Sequence, residues 1–269
     1  MSISNYQPPV DQLLTYGDCR NHREWANYVQ ELKLEAQHIP ELIRMATDED
    51  LSVADSDSLE VWSPVHAWRA LAQLRAVKAF ESLLGLLANR DDDWISSDFP
   101  MISTLMGLEI VPLLKDYLAD TSNNLYARTD AAHSLVAISE KYPETRESNL
   151  AAMTTELAKY RQNDPVFNAL LICELVDLQA TEAVDTIQQA YEANAVDVFV
   201  TGYWEDIQVD LGLKTRAEVP QRQFSEQQML ASLFATPRKI KSNKGFGTAT
   251  QGNKKNKKSR KSLGKKQQR

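Results

Sequence analysis

The stretch Trp62-Ser-Pro-Val-His-Ala-Trp-Arg-Ala-Leu-Ala-Gln-Leu-Arg-Ala-Val-Lys-Ala-Phe-Glu-Ser-Leu-Leu-Gly-Leu-Leu-Ala-Asn-Arg90 carries the helical period twice. Val65, Trp68, Leu71 and Ala72 fall on one face of a first helix, and Val77, Phe80, Leu84 and Leu87 on one face of a second. A break over 74–76 separates them. The polar run 89–93 ends the second helix, because short polar side chains compete for the backbone hydrogen bonds that a helix needs. This is a helical hairpin, and one hairpin cannot bury both of its apolar faces without neighbours.

The neighbours follow along the chain. Residues 102–106 pair with Ile110, Leu114 and Tyr117; Ala131, Leu135, Ile138 and Tyr142 pair with Leu150, Met153, Leu157 and Tyr160; Val166, Leu170 and Cys173 pair with Val184, Ile187 and Tyr191. With Ala76, Leu108 and Ala180 as the openings of second helices, the first spacing is 32 residues. The remaining 72 hold two units, one of them enlarged by the 141–148 connection. Periods of this size are those of stacked helical repeats. Only nine glycines occur in 269 residues, and Ala, Leu, Glu and Gln are abundant, so propensity also favours helix over sheet. The expected fold class is all-α.

The segment 63–80, closing in Leu-Leu-Ala-Asn-Arg-Asp-Asp-Asp, resembles a HEAT-like repeat of the kind also seen in phycobilisome-lyase proteins, with weaker echoes over 125–138 and 170–187. Residues 38–213, including Asp-Val-Phe-Val-Thr-Gly-Tyr-Trp-Glu-Asp-Ile-Gln-Val-Asp-Leu-Gly-Leu at 197–213, resemble an uncharacterised bacterial family of HEAT-like domains. The resemblance implies a right-handed α-solenoid of helical hairpins, a fold whose extended surface binds other macromolecules. Some members of that family carry a cysteine-rich, zinc-binding SEC-C motif at the C-terminus. No cysteine follows Cys173 here, so that metal function does not transfer.

The implied organisation has four parts: N-terminal capping helices over 1–61, a repeat body over 62–213, a linker with a short amphipathic helix over 214–237, and a disordered basic tail over 238–269. Residues 3–50 supply two or three capping helices, with Trp25, Val29 and Leu32 on one stripe and Pro40 opening another near Ile43. Residues 203–211 cap the other end. In the linker, Ser225 serves as N-cap, Gln228 stands at the third position and Phe224 staples Met229, while Leu230, Leu233 and Phe234 complete an apolar stripe. That stripe suits either a partner's groove or the chain's own body.

Charge divides the molecule. Of 30 Lys and Arg, 13 fall from Arg238 onward with no acid among them, which leaves 17 against all 37 acidic side chains in 1–237, a formal −20. The tail composition of Lys, Asn, Gly, Ser, Gln and Thr has too little apolar surface to offset the entropy of ordering. Lys254, Lys255, Lys257, Lys258, Arg260 and Lys261 form a run able to contact successive phosphates through flexible cationic groups. RNA or ribosome association, an acidic protein partner and plain solubilisation all fit this run.

Candidate chemistry is sparse. The histidines stand at 22, 38, 66 and 133, none at metal-ligand spacing from another histidine or a cysteine; His66 and His133, in first helices of different repeats, could share a ridge. No phosphate-binding glycine loop or nucleophile elbow occurs, and Gly245-Phe246-Gly247 sits in the polar tail. Asp91–Asp93 reads as a solvated turn, with divalent-ion binding as the sharper alternative. Neither metal nor cofactor is expected. Phe199, Tyr203 and Trp204 beside Glu205, Asp206 and Asp210 make the densest aromatic and acidic cluster. It serves either as an edge for a basic or amphipathic ligand or as a cap sealing the last repeat.

Cys19 and Cys173 are too few and too far apart for a disulfide framework, the first ten residues lack a signal-peptide pattern, and no apolar run approaches membrane length. A cytoplasmic protein without a membrane partner is expected. The sequence predicts a non-enzymatic interaction scaffold whose repeat surface binds a protein and whose tail tethers RNA or another polyanion. The alternative, by analogy with lyase-type HEAT repeats, is a cofactor- or chromophore-handling protein with a pocket near His66, His133 or Trp204.

Overall fold

A computed structural model describes residues 5–21, 24–88 and 93–220. Among these residues the chain is all-helical, with no strand. The α-helices are α1 (Tyr28–Glu31), α2 (Ile39–Ala46), α3 (Glu49–Ser52), α4 (Ser63–Gln73), α5 (Phe80–Leu86), α6 (Asp93–Met106), α7 (Val111–Ala119), α8 (Leu125–Lys141), α9 (Arg146–Leu157), α10 (Pro165–Asp177), α11 (Val184–Glu192), α12 (Val198–Thr201) and α13 (Trp204–Asp210).

The starts follow local chemistry. Asn124 caps α8 by accepting from the Tyr126 and Ala127 amides, and Asp164 caps α10 by accepting from the Val166 amide, with Pro165 at the first helical position, where its missing N–H costs nothing. The hairpin breaks are more distinctive. At the end of α4, Arg75 takes a left-handed backbone (φ 52°), and at the end of α10, Gln179 does the same (φ 51°). In each, the following alanine amide reaches back to close the helix, Ala76 to Leu71 O at 3.0 Å and Ala180 to Leu175 O at 2.9 Å. A short 3-10 turn then leads into the second helix, Val77–Ala79 before α5 and Thr181–Ala183 before α11.

The same 3-10 entry precedes α7 at Leu108–Ile110 and α9 at Pro143–Thr145, so the four entries begin 31, 35 and 38 residues apart. The enlargement expected at 141–148 lies elsewhere. Tyr142 and the 3-10 turn form a connection as short as the others, and the extra length sits in the 17 residues of α8 and in the 158–164 link before α10.

Successive first helices pack on one another, α2 on α4, α4 on α6, α6 on α8, α8 on α10, and α10 on α12, while α7 packs on α9 and α9 on α11. Their shared core includes Trp68, Leu71, Phe80, Phe99, Ile102, Leu114, Leu135, Met153, Phe167, Leu171 and Ile187, all buried. Phe80 and Phe99 stack at 5.5 Å between centroids. The N-terminal segment lies against α4 through the 3-10 helix Val10–Thr15 and α1. α1 is only four residues long, and Trp25 stands ahead of it rather than on a common helical stripe with Val29.

At the far end, Gly202 (φ 80°) separates α12 from α13, and a Cβ there would stand 3.0 Å from the Asp206 carboxylate. Residues 215–220 remain attached to this end: Arg216 pairs with Asp206, and Val219 is buried. No single described helix is long and apolar enough to cross a membrane.

Candidate functional site

Among the described residues, His66, Arg69, Asp98, Arg128, Glu156 and Glu174 are buried, and each is satisfied from within. Arg69 of α4 meets Asp98 of α6 through Nε at 2.6 Å and Nη2 at 3.0 Å, and the Trp68 indole N–H donates to the same carboxylate at 2.9 Å. Arg128 of α8 donates to Leu118 O at 2.7 Å and to Glu156 of α9 at 3.3 Å, and lies 3.9 Å from the Phe167 ring centroid. Lys159 joins Glu156 from outside at 2.7 Å. Buried charge costs several kcal/mol unless paired and hydrogen-bonded, and these groups are both.

His66 belongs to the same structural class. Its Nε2–H donates to the Gly17 carbonyl at 2.7 Å, which leaves Nδ1 to accept from the Tyr28 hydroxyl at 2.7 Å, with the Tyr16 ring 5.0 Å away. The imidazole thereby ties the N-terminal segment to α4. His133 is different: its Nδ1 meets Glu174 of α10 at 2.9 Å, with the imidazole side chain 51% exposed. The hydrogen bond to Glu174 raises the imidazole's proton affinity against burial, and the charges of Glu174, Asp177 and Asp130 add to the rise. The two histidines do not share a ridge: α6 lies between their helices, and their partners differ.

The expected C-terminal cluster divides by role. Trp204 stacks on Tyr191 at 5.9 Å, and the Tyr191 hydroxyl, held protonated by burial, meets Thr201 at 2.7 Å. The Tyr203 amide donates to Asp206 at 2.9 Å, and Asp206 also receives Arg216. Tyr203, Trp204 and Asp206 thus build the cap of the last hairpin, with Glu205 half-buried beside them. Phe199, 42% exposed, and Val200 stand at its surface. Leu230, Leu233 and Phe234, and the tail residues Lys254, Lys255, Lys257, Lys258, Arg260 and Lys261, lie outside the described residues, as do His22, Asp91 and Asp92.

Clefts open on the body among the described residues. A groove of about 520 Å³ between α6 and α8 is lined by Pro100, Met101, Thr104, His133 and Lys141 among others, and a second of similar size lies where Trp25 and Val29 meet Gln73 and Leu105. A further cleft, of about 850 Å³, is formed by the hairpin breaks themselves: residues 74–78 between α4 and α5, residues 106–109 between α6 and α7, Tyr142 between α8 and α9, and Ala36, Ile39 and Pro40 at the start of α2. Sequence reasoning missed it, because its residues read either as turn residues or as parts of separate helical faces. No group of three or more His, Cys, Asp or Glu able to hold a metal ion occurs among the described residues.

The geometry defines an all-helical protein whose buried charges are paired inside the packing and whose open clefts lie between helical hairpins. The chain belongs to the family described as Protein of unknown function (DUF1186), whose model matches residues 29–227. No curated protein and no solved structure matches it.

Proposed function

We propose that the chain is a non-enzymatic interaction scaffold: a right-handed α-solenoid of HEAT-like hairpins that binds a protein partner, with a basic tail that tethers RNA or another polyanion in the cytoplasm. The observation that carries the reading is the inward pairing of the buried charges. Arg69 with Asp98 and Arg128 with Glu156 satisfy one another, so the buried charges hold helices together rather than converge on a cleft.

Recurrence of the turn at Arg75 and Gln179 supports the repeat architecture, and such architectures present extended surfaces rather than enclosed pockets. The charge division supports the tether, since a body of −20 repels phosphate while the tail attracts it. Two free thiols, Cys19 and Cys173, suit a reducing compartment. For a cofactor-handling protein, His66 is enclosed and Trp204 is spent on the cap, which leaves only His133 beside a groove.

The test is affinity purification of the full chain at two salt concentrations, beside a variant with Lys254, Lys255, Lys257, Lys258, Arg260 and Lys261 all changed to glutamine. The tether requires nucleic acid to co-purify at low salt and to be lost from the variant, while the protein partners of the body persist in both. Nucleic acid retained equally by the variant removes the tether, and a full chain that captures no protein removes the scaffold.

A further inference from the structure

We propose that the cleft formed by the hairpin breaks is the docking trough of the protein partner, and that its occupant is an extended peptide segment in which acidic residues alternate with apolar ones. The proposal rests on the scaffold reading and says where, and by what chemistry, the partner is held. The floor is apolar: Ile39, Pro40, Leu74, Val77, Met106, Leu108 and Tyr142. Leu108 is 41% exposed and adds its side chain to this contiguous apolar floor.

Three successive hairpin breaks contribute to this floor, so the cleft runs across helices α4 to α9 as an open trough rather than into the body as a pocket. A site for a small molecule is enclosed and carries a few fixed, buried polar groups; here every charged lining residue is exposed. An elongated, open, apolar trough fits a polymer chain, whose alternate side chains face the floor and the rims.

Charge selects among polymers. Arg75 and Lys78 stand at the rim, and neither is held in an ion pair among the described residues. In a body of 17 basic against 37 acidic side chains, two adjacent unpaired cations over an apolar floor mark a local reversal of sign. Acidic side chains entering there gain charge-assisted contacts without breaking an existing pair. Glu109, also unpaired, lies elsewhere in the lining and disfavours a uniformly acidic ligand, so the apolar positions carry the affinity and the acids set the register.

The experiment is selection of a random dodecapeptide display library on the immobilised full-length protein, repeated on R75E/K78E and on L108N. All three substituted residues are exposed, and Arg75→Glu keeps a non-glycine residue in the left-handed backbone, so thermal unfolding serves as a control expected to stay unchanged. Wild type is expected to enrich peptides with acidic residues between apolar ones. R75E/K78E weakens those peptides at least tenfold and enriches basic ones instead, and L108N weakens both sets.

Wild-type peptides with no acidic preference, or binding unchanged by both variants, would overturn the trough. The same holds if no peptide is enriched. Partners purified from lysate that bind R75E/K78E and L108N as well as wild type leave the scaffold reading in place and remove only the trough. A wild-type chain that captures nothing removes both.

Discussion

Arg69 and Asp98 join α4 to α6 through two hydrogen bonds at 2.6 and 3.0 Å, with side chains only 9% and 10% exposed. A bidentate geometry of this kind, completed by the Trp68 indole, converts a buried charge from a liability into a link between hairpins.

Removing Asp98 alone strands the guanidinium and the indole N–H. We expect Asp98→Ala to destabilise the protein by about 3–5 kcal/mol, and the double change Arg69→Met with Asp98→Leu to recover part of that loss, since an apolar pair needs no desolvation while the Trp68 indole N–H stays unpaired. Urea unfolding followed by circular dichroism measures both. A single substitution no worse than a surface change would show that the pair is dispensable.

His133 gives the body a pH-dependent contact with a definite sign. Its folded-state proton affinity lies above the ordinary value of 6.5, so the stabilisation by Glu174 is fully present below about 6.5 and disappears as pH rises through the raised folded value. The imidazole is half exposed, which limits the contribution to under about 1 kcal/mol. Stability of wild type relative to His133→Gln is expected to shrink between pH 6 and pH 9; a constant difference would show that the pair does not titrate.

Lys33 holds a left-handed backbone (φ 51°) where the Leu34 amide closes back on Val29 O at 3.1 Å. A residue with a Cβ pays roughly 1 kcal/mol for this conformation, and a β-branched one pays more. Lys33→Gly is therefore expected to raise stability by up to about 1 kcal/mol, part of the gain being offset by the freer unfolded chain, and Lys33→Val to lower it by about the same amount. Differential scanning calorimetry of the two variants decides it, and equal shifts of the same sign would refute the argument.

Much of the fold was legible. The two-helix unit at 62–90 with its break at 74–76 appears where its period changes phase, as α4, the Arg75 turn and α5. At 203–206 the sequence left a cap and a binding edge open, and the local capping geometry of Tyr203 and Asp206 is a tertiary observation. The location of the extra residues was not: α8 runs on to Lys141 because nothing local stops it, and a spacing argument cannot distinguish a longer helix from a longer loop.

The candidate site was hardly legible at all. Arg75, Lys78, Leu108 and Glu109 carry no shared pattern, and the one available signal was an arginine at a helix end where glycine is usual. Arg69 had a clearer one: a cation between Trp68 and Ala70 on a helix whose apolar residues face inward demands a buried partner, though not which partner.

What the sequence determined by itself is therefore local: which segments are helical, where the hairpins break, and how charge divides between body and tail. Those depend on side-chain period, backbone preference and composition within a few residues. Tertiary structure alone decided that Tyr28 meets His66 across 38 positions, that Arg69 meets Asp98 across 29, and that three hairpin breaks surround one trough. Such contacts depend on how helices pack, and packing is set by the fit of whole faces, which no short stretch of chain contains.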